Sequence, residues 1–492
     1  AGIWLAYLIA ALAIMPAACS KGELSTAMPT SGGSYVYIER TFGPMIGTIA
    51  GIGLWSASML KSAFALIGFK AYLWVLEELL GVSINLQLSA LILLALIVVI
   101  NILGVSRIKK VQTPIVLAVV IFMLVLSIWA MLTMEMNWDA AFGKDAFGTS
   151  WKDVAHASGV VFVAYAGVTK IAAVGGEIKN PSRNIPYGII LSLIIACILY
   201  VFLSIVMVAS VDVTSYMNAD GTAREDPLYV LSHAIGGSTV GVISAVFAVT
   251  VLTATALSGI LATSRFPFAM ARDNLLPQSL ENVHPKFKTP HLAIIGTGLA
   301  MAASITFLPV HDVAKLASGF KILIFIVINA CVIVLRSSSK SHTWYKPEWK
   351  SPLYPYMQIL GIISGIILLV MMGSKAYIGG LAAIVLGLVI YNTYGKGHVN
   401  AEITPWETFR LMMVKPDIVE KRRIFAAFHA ADVDNNSSLN LREFTSAISA
   451  LGINANEQFA LREYFHHADV DRDGTIDIDE FCDFIGLIRE SE

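Results

Sequence analysis

The sequence predicts an all-α membrane protein that continues into a small, acidic helical domain. Hydrophobic residues make up 56% of the 492 residues and charged residues only 14%, with a mean hydropathy of +0.70. A globular domain contains nearer ~25% charged residues. Residues 417–492 differ, with 16 acidic and 7 basic side chains against 19 and 27 in the remainder. The net charge of −1 therefore combines a basic membrane part with an acidic tail.

Eleven apolar segments have the ~20 residues that a membrane-spanning helix needs. Basic residues, among them Lys21, Lys109 and Arg272, concentrate in alternate connections, and such connections face the cytoplasm. This orientation places the acidic tail in the cytoplasm and Ala1 on the opposite side. The segments are 3–26, 44–74, 86–104, 112–133, 155–176, 187–211, 238–262, 289–309, 313–336, 355–373 and 376–394.

The segment 162–186 differs from a simple span. It begins apolar, carries Gly167, Thr169 and Lys170, and ends in a polar stretch with two prolines. The bilayer core offers backbone groups no water, so a polar interruption of this kind is tolerated only where it lines a protein cavity. The pattern is typical of the discontinuous helices that hold substrates in secondary transporters.

Three motifs carry a resemblance to a family. The run PTSGGSYVY (29–37) with Phe-Gly-Pro at 42–44, the segment 162–186, and MARDNLLP (270–277) follow one another in the order and on the side expected. They resemble the loop after the second span, the sixth span and the loop after the eighth span of the amino acid–polyamine–organocation permeases. The resemblance covers roughly residues 1–395.

The resemblance implies an inverted five-helix-repeat bundle of the LeuT type, with two peripheral spans. It also implies secondary active transport of amino acids or related amines, with substrate held between broken first and sixth spans. About eleven spans are present, and the chain begins where the second span of the family begins, so the first is expected to be missing. Protons are the expected coupling ion. Sodium is the alternative, because hydroxyl groups punctuate the eighth span at Thr250, Thr253, Thr255 and Ser258.

The resemblance also implies a substrate site. Thr169 stands where some relatives carry an acid, which argues against cationic substrates and leaves a hydroxyl for a carboxylate or a neutral polar group. The alternative is that the small residues of this segment only allow close helix packing. The residues that match the unwound sixth span, and whose backbone would face the substrate, are Phe162, Ala164, Tyr165, Ala166 and Gly167.

Ionisable side chains within spans are functional candidates by default. Lys61 lies near the middle of the third span, where it would contact an acidic substrate group or replace a bound cation. With Ser62 it joins the predicted substrate site; the alternative is a structural pair inside the bundle. Lys170 and Glu177 share one helical face, which favours an ion pair, and Glu23 is a candidate gate or proton group. These three are the coupling and gating candidates.

Two segments of the tail match the calcium-binding EF-hand loop, which supplies oxygen ligands at positions 1, 3, 5, 7, 9 and 12 and has glycine at position 6. In the second loop Gly474 occupies position 6, whereas Ser437 occupies it in the first, so weaker binding is expected there. Phe425 and Phe428 precede the first loop, and Phe481 and Phe484 follow the second. The predicted ligands are Asp432, Asp434, Asn436, Ser438, Asn440 and Glu443, then Asp469, Asp471, Asp473, Thr475, Asp477 and Glu480.

The predicted organisation is a permease domain (1–395), a juxtamembrane linker (396–417) and an EF-hand pair (418–492). Within the linker, residues 404–415 place Trp406, Phe409 and Met413 at helical spacing. They form either an anchor that docks in the groove of the EF-hand pair or a helix lying on the membrane.

The resulting hypothesis is an amino acid transporter regulated by calcium, in the plasma membrane or an internal membrane. The alternative is a transport-incompetent calcium sensor or scaffold built on a permease body. An enzyme is not expected, because the sequence contains no phosphate loop and no nucleophile constellation. The expected partners are an amino acid and the lipid bilayer, with no nucleic acid.

Overall fold

A computed structural model describes residues 2–30, 32–81, 85–104, 108–143, 151–165, 167–173, 178–218, 221–308, 310–372, 374–399, 404–414, 416–434, 436–451, 453 and 458–490. Over these residues the regular structure is helical, with two isolated β-bridges. The chain forms two compact units. The first comprises Ala1–Arg336 and Trp344–Glu402, and the second comprises Ser337–Thr343 and Ile403–Glu492.

The first unit contains a helix at the position of every predicted span. Eight helices are long and apolar enough to cross a membrane, and two shorter apolar helices accompany them in the described part of the chain. The helices are α1 (Ile3–Ala27), α2 (Ser34–Phe42), α3 (Pro44–Leu80), α4 (Leu86–Leu103), α5 (Ile108–Thr133), α6 (Trp138–Phe142), α7 (Trp151–Tyr165), α8 (Pro181–Ser210), α9 (Pro227–Thr263), α10 (Arg265–Arg272), α11 (His291–Phe307), α12 (Val310–Ser337), α13 (Tyr356–Met371) and α14 (Ser374–Thr393).

Burial separates an inner from an outer set of these helices. The buried share of the apolar window is 67% in α3, 72% in α12 and 50% in α1, but only 17–22% in α4, α5, α8 and α14. Apolar side chains exposed in long stretches have no stable place in water, so the outer helices present the surface that faces lipid. The inner helices α1, α3 and α12 therefore carry the side chains that meet at the centre of the unit.

The junction between α2 and α3 shows how local sequence sets the path of the chain. Gly43 has φ of +90°, a value that side-chain-bearing residues rarely adopt, and it ends α2 by donating its N–H to the carbonyl of Glu39 at 2.7 Å. Pro44 follows at the first position of α3, where its missing N–H costs nothing. The Phe-Gly-Pro motif thus turns one helix directly into the next.

The second unit holds two helix–loop–helix motifs. Its helices are α15 (Pro405–Val414), α16 (Pro416–Ala431), α17 (Leu441–Ala450), α18 (Gln458–Ala468) and α19 (Ile478–Glu490). Phe428, Phe444 and Phe481 are almost fully buried at their centre, each worth about 1.5–3 kcal/mol of burial. Phe425 differs, with 43% of its surface exposed.

The two loops of the second unit pair through the residue at position 8 of each. Leu439 and Ile476 exchange two backbone hydrogen bonds, of 2.8 Å and 3.0 Å, and both side chains are buried. These two bonds fix the spacing of the two loops.

Candidate functional site

The polar interruption predicted in the sixth span is a break in the helix. The α-helix α7 ends at Tyr165, a turn follows through Gly167 to Thr169, and a short 3-10 helix covers Lys170–Ala173. In the turn, the N–H of Val168 donates to Tyr165 and that of Lys170 to Gly167, each at 3.0 Å. Ala166 and Glu177 lie outside the described residues, so the expected Lys170–Glu177 pair does too.

Two aromatic side chains precede the break. Phe162 is buried, with its ring centroid 5.6 Å from that of Phe325 on α12. Tyr165 is also buried, and its hydroxyl donates to the carbonyl of Tyr7 on α1 at 3.1 Å, while its ring lies 5.2 Å from that of Tyr200 on α8. Ala164, between them, is half-buried. Phe162 therefore faces one of the inner helices, and Tyr165 is held by α1 and α8.

Of the two predicted residues on α3, Lys61 reaches the break. A Cβ atom built on Gly167 would lie 3.3 Å from the Nζ atom of Lys61, so the ammonium lies directly against the glycine. Ser62 points elsewhere: its hydroxyl donates to the carbonyl of Ser58 at 2.9 Å and packs against Gly259 on α9. A larger side chain at Gly167 would thus meet the lysine.

Lys21 contacts the same segment, a role that the sequence analysis missed. It was counted among the basic residues of connections, but it lies in α1 with 4% of its surface exposed. Its Nζ atom donates to the Thr169 hydroxyl at 2.9 Å and lies 5.7 Å from the ring centroid of Phe325, a cation–π distance. Lys321 on α12 is equally buried. The rule that ionisable residues in spans are functional candidates would have singled out Lys321 with Lys61.

Glu23 is fully buried and saturated with hydrogen bonds. Arg336 donates two hydrogen bonds to its carboxylate, of 2.8 Å and 2.6 Å. The Tyr345 hydroxyl donates to it at 2.7 Å, and Ser351 donates from both its N–H and its hydroxyl at 2.8 Å. Burial and the neighbouring Glu23 carboxylate raise the pKa of Tyr345, so its hydroxyl stays protonated and remains a donor. This cluster ties α1 to the end of α12 and to the segment that follows.

Three of the four hydroxyl groups that suggested a sodium site bond within their own helix, α9. Thr250 donates to Val246 at 2.7 Å, Thr253 to Val249 at 2.8 Å, and Ser258 to Thr255 at 3.1 Å. Serine and threonine commonly make this bond inside helices. The bonds of these three hydroxyls are therefore those of ordinary helix residues and give no support to a sodium site.

In the second unit, the loop 469–480 gathers oxygen atoms suited to calcium. Asp469, Asp471 and Asp473 each offer a carboxylate oxygen within 4.8 Å of the others. Oδ2 of Asp469 accepts from the N–H of Gly474 at 3.2 Å, but its Oδ1 is buried without a hydrogen-bond partner. A buried carboxylate oxygen left in this state is costly, and a hard cation that takes 6–8 oxygens would satisfy it. The residues therefore fit the metal.

Other predicted ligands of this loop hold its shape. Glu480 accepts from the N–H groups of Val470 and Asp477, at 2.9 Å and 3.0 Å. Thr475 donates from its N–H and hydroxyl to Asp473, at 2.7 Å and 2.8 Å.

The loop 432–443 is also closed but more internally bonded. Asp432, Asp434 and Glu443 lie within the same 4.8 Å limit, yet both oxygens of Asp432 accept backbone N–H bonds, at 3.1 Å and 3.0 Å. The Asn436 amide donates to Asp434 at 3.1 Å. Ser438 and Asn440 complete the predicted ligand set. The Asn440 side chain caps α17 by accepting from the backbone N–H groups of Arg442 and Glu443.

Ser437, at position 6 of this loop, has φ of +64°, a left-handed conformation that glycine adopts freely. We expect Ser437→Gly to tighten calcium binding by the loop about fivefold, since a side chain here costs roughly 1 kcal/mol. Calorimetric titration of the full-length protein in detergent tests this. The reverse change, Gly474→Ser at φ of +88°, is the matched control and should weaken the second loop. Equal affinities for Ser437→Gly and wild type would contradict the expectation.

The fold and the two loops define a class, a multi-pass membrane transporter with a fused EF-hand domain. The profile of the family described as "Amino acid permease" matches residues 1–398, and that of the "EF-hand domain pair" matches residues 421–486. The chain therefore belongs to the amino acid permease family, whose members are transporters and not enzymes.

Relatives agree on transport while differing in substrate. The chain is 28% identical to "Branched-chain amino acid permease BcaP" of Bacillus subtilis, over 81% of this chain and 86% of that one. It is also 28% identical to "Methylthioribose transporter" of the same organism, over 80% and 86%. The crystal structure of MhsT in complex with L-phenylalanine aligns with a TM-score of 0.54 at 15% identity, over 75% of this chain and 90% of that one. That likeness shows the fold, which is of the LeuT type as predicted.

Proposed function

We propose that this protein carries out secondary active transport of amino acids or related amines, coupled to protons and regulated by calcium. The observation that carries the transport proposal is the break between Tyr165 and Lys170, beside the half-buried Lys61 and the buried Lys21. Exposed backbone at a helix break can bind the charged ends of an amino acid. BcaP is named for amino acids, which supports this substrate class.

Uptake of a panel of labelled amino acids into cells expressing the protein tests the proposal. Saturable uptake of one class, abolished by dissipating the proton gradient, is the expected result. Uptake that survives loss of the proton gradient but requires sodium would show that sodium, rather than the proton, is the coupling ion. A protein that is present in the membrane and moves none of the panel would favour the alternative of a calcium sensor or scaffold.

Gly167→Leu is expected to abolish this uptake. The added side chain begins 3.3 Å from the Nζ atom of Lys61 and must fill the space beside the break. Gly296→Leu on α11 is the matched control, because a Cβ there meets nothing within 4 Å. Surface labelling shows whether both variants reach the membrane. Uptake by Gly167→Leu equal to that of the control would exclude the break as the path of the substrate.

The calcium half of the proposal rests on the loops of the second unit. Both present clustered carboxylate oxygens, and Asp469 holds one of them without a hydrogen bond. The tail is assigned to the cytoplasm of a multi-pass protein because basic residues concentrate in the connections on its side. Calcium-dependent exposure of an apolar groove is the usual output of such sensors.

One segment of the second unit offers a route from calcium to transport. Residues 337–343 continue directly from α12, yet they fold with the EF-hand helices. Within that unit, Lys340, Ser341, His342 and Thr343 line a cavity of about 400 Å³ together with Thr408, Leu411, Arg423, Ala427 and Leu451.

Within this cavity wall, His342 lies 3.1 Å from the Thr408 hydroxyl of α15, and burial lowers the pKa of His342, which keeps it neutral near pH 7. We infer that calcium binding changes the contacts that hold residues 337–343 and thereby acts on α12, from which these residues continue.

The helix α15 is the predicted docking segment, 404–415. Thr408 is buried and Leu411 lines the cavity, whereas Met413 exposes 73% of its surface and Trp406 exposes 36%. We therefore propose that α15 docks through Thr408 and Leu411. The exposed side chains leave the other face of α15 available to the membrane surface.

We expect His342→Ala to remove the calcium response of uptake and to leave calcium-free uptake near the wild-type rate. The change deletes the contact with Thr408 without touching the break or the calcium ligands. His467→Ala, an exposed histidine of α18, is the matched control. Uptake measured with cytosolic calcium clamped low or high gives the comparison. An undiminished calcium response in His342→Ala would exclude this route.

A further inference from the structure

Three lysines of the first unit meet around one small cavity, here called the lysine cavity. Lys21 comes from α1, Lys170 from the 3-10 helix after the break, and Lys321 from α12. The cavity is closed on other sides by Ser58 of α3 and Thr169 of the break, among others. Four separate parts of the chain thus deliver these groups to one place.

The lysine cavity gathers basic groups in the interior of the unit. Lys21 and Lys321 expose only 4% of their surfaces, and Lys170 lines the same cavity. Among the described residues that line the cavity, none carries a carboxylate. Buried charges of one sign are costly unless something compensates them.

The partners within the cavity are neutral and already engaged. Lys21 donates to the Thr169 hydroxyl at 2.9 Å, and Lys321 to the Ser58 hydroxyl at 3.4 Å. Glu23 lies two residues from Lys21, but its two oxygens take five hydrogen bonds from Arg336, Tyr345 and Ser351. That carboxylate is committed elsewhere. A hydroxyl stabilises an ammonium without neutralising it.

We propose that the lysine cavity binds one small anionic group. The same chemistry admits two sources, the side-chain carboxylate of an acidic amino acid or an inorganic anion such as chloride. The cavity measures about 10 Å³, close to the smallest volume that holds one water. A chloride ion or a carboxylate is larger than a water molecule, so the flexible lysine stems must move apart to admit it. The carboxylate source rests on the proposed transport, and the inorganic source does not.

Thermal unfolding of the full-length protein in detergent tests binding without requiring transport. The ionic strength is held constant with gluconate, a bulky anion, while chloride replaces it. A saturable rise in Tm of about 2 °C or more is expected if chloride is the ligand. For the carboxylate source, glutamate should raise Tm where glutamine, its neutral isostere, does not.

Variants assign the effect to the cavity. Lys21→Met and Lys321→Met are each expected to raise the anion concentration needed for half the shift at least tenfold, while Lys346→Met, an exposed lysine, leaves it unchanged. If Lys21→Met and Lys321→Met do not fold, Lys170→Met takes their place as the cavity variant. The proposal is overturned if neither chloride nor glutamate shifts Tm, or if the shift persists undiminished in the cavity variants. A shift in a protein that moves no amino acid would reject the proposed transport and keep the anion site.

Discussion

Replacing Arg336 with methionine is expected to destabilise the first unit by about 3–5 kcal/mol, the cost of leaving a buried charge without its partner. Glu23 has no exposed surface. Among the described residues, Arg336 supplies the one positive charge that bonds it, through two hydrogen bonds of 2.6 Å and 2.8 Å. The methionine keeps the apolar stem that packs over Tyr354, whose ring centroid lies 4.4 Å from the guanidinium. The loss is thus one of charge rather than of volume.

The other donors cannot replace the arginine. The Tyr345 hydroxyl and the two groups of Ser351 already bond the carboxylate, and none of them carries charge. The double variant Glu23→Gln/Arg336→Met removes both charges and keeps an acceptor for Tyr345 and Ser351. It is expected to recover at least half of the lost stability, because replacing both members of a buried pair costs less than removing one.

An exposed pair gives the control for this experiment. Arg40 lies 3.6 Å from Glu39, with 63% of its side chain exposed, so Arg40→Gln should cost less than about 1 kcal/mol. Thermal unfolding in detergent, monitored by size-exclusion chromatography, ranks the stability of the variants. If Arg336→Met proved as stable as Arg40→Gln, the buried pair would not be holding α1 to α12.

The contrast between spans and contacts shows what this sequence can predict. Each of the eleven predicted spans overlaps a helix, although the α-helix within 155–176 ends at Tyr165, because length and hydropathy are properties of contiguous residues. The break after Tyr165 was predicted for the same reason, since Gly167, Thr169 and Lys170 lie within four residues. The EF-hand ligands likewise stand in two runs of twelve.

The long-range partners could not be predicted in this way. Glu23 and Arg336 are separated by 313 residues and Lys21 and Thr169 by 148, and periodicity does not show which side chains meet across such distances. Lys321 was hidden differently, because its span is apolar enough that one charge did not alter the pattern. Glu23 was selected as a gate from its position, but the five hydrogen bonds that hold its carboxylate appear only in the fold.

Asp469→Asn is expected to weaken calcium binding at the second loop at least about 100-fold, or roughly 2.7 kcal/mol. The substitution keeps the shape of the side chain. Its carbonyl oxygen can still accept from Gly474, as Oδ2 of Asp469 does at 3.2 Å. The atom that changes is Oδ1, which is buried without a hydrogen-bond partner. An amide NH2 in its place carries no negative charge and cannot ligate a cation.

The expected size of this effect follows from the affinity that metal sites lose when a residue around the metal is removed. Removing residues that only orient a metal ligand commonly costs 10–100-fold in affinity, and Asp469 would be a direct ligand at position 1. Without calcium, the free energy of unfolding of Asp469→Asn should stay within about 1 kcal/mol of that of the wild type, because the hydrogen bond from the Gly474 backbone survives. The loss is therefore specific to the metal-bound state, which separates a binding role from a structural one.

Asp479→Asn provides the matched control, since Asp479 stands in the same loop, undergoes the same chemical change and is exposed at position 11. Calorimetric titration of the full-length protein in detergent should show one strong site fewer in Asp469→Asn and an unaltered profile in Asp479→Asn. If both variants retained wild-type binding, the unbonded oxygen of Asp469 would not be a calcium ligand. If both lost it equally, total charge rather than ligand geometry would govern binding. Only a loss confined to Asp469→Asn ties calcium to the ligand geometry of the loop whose position 8 pairs with Leu439.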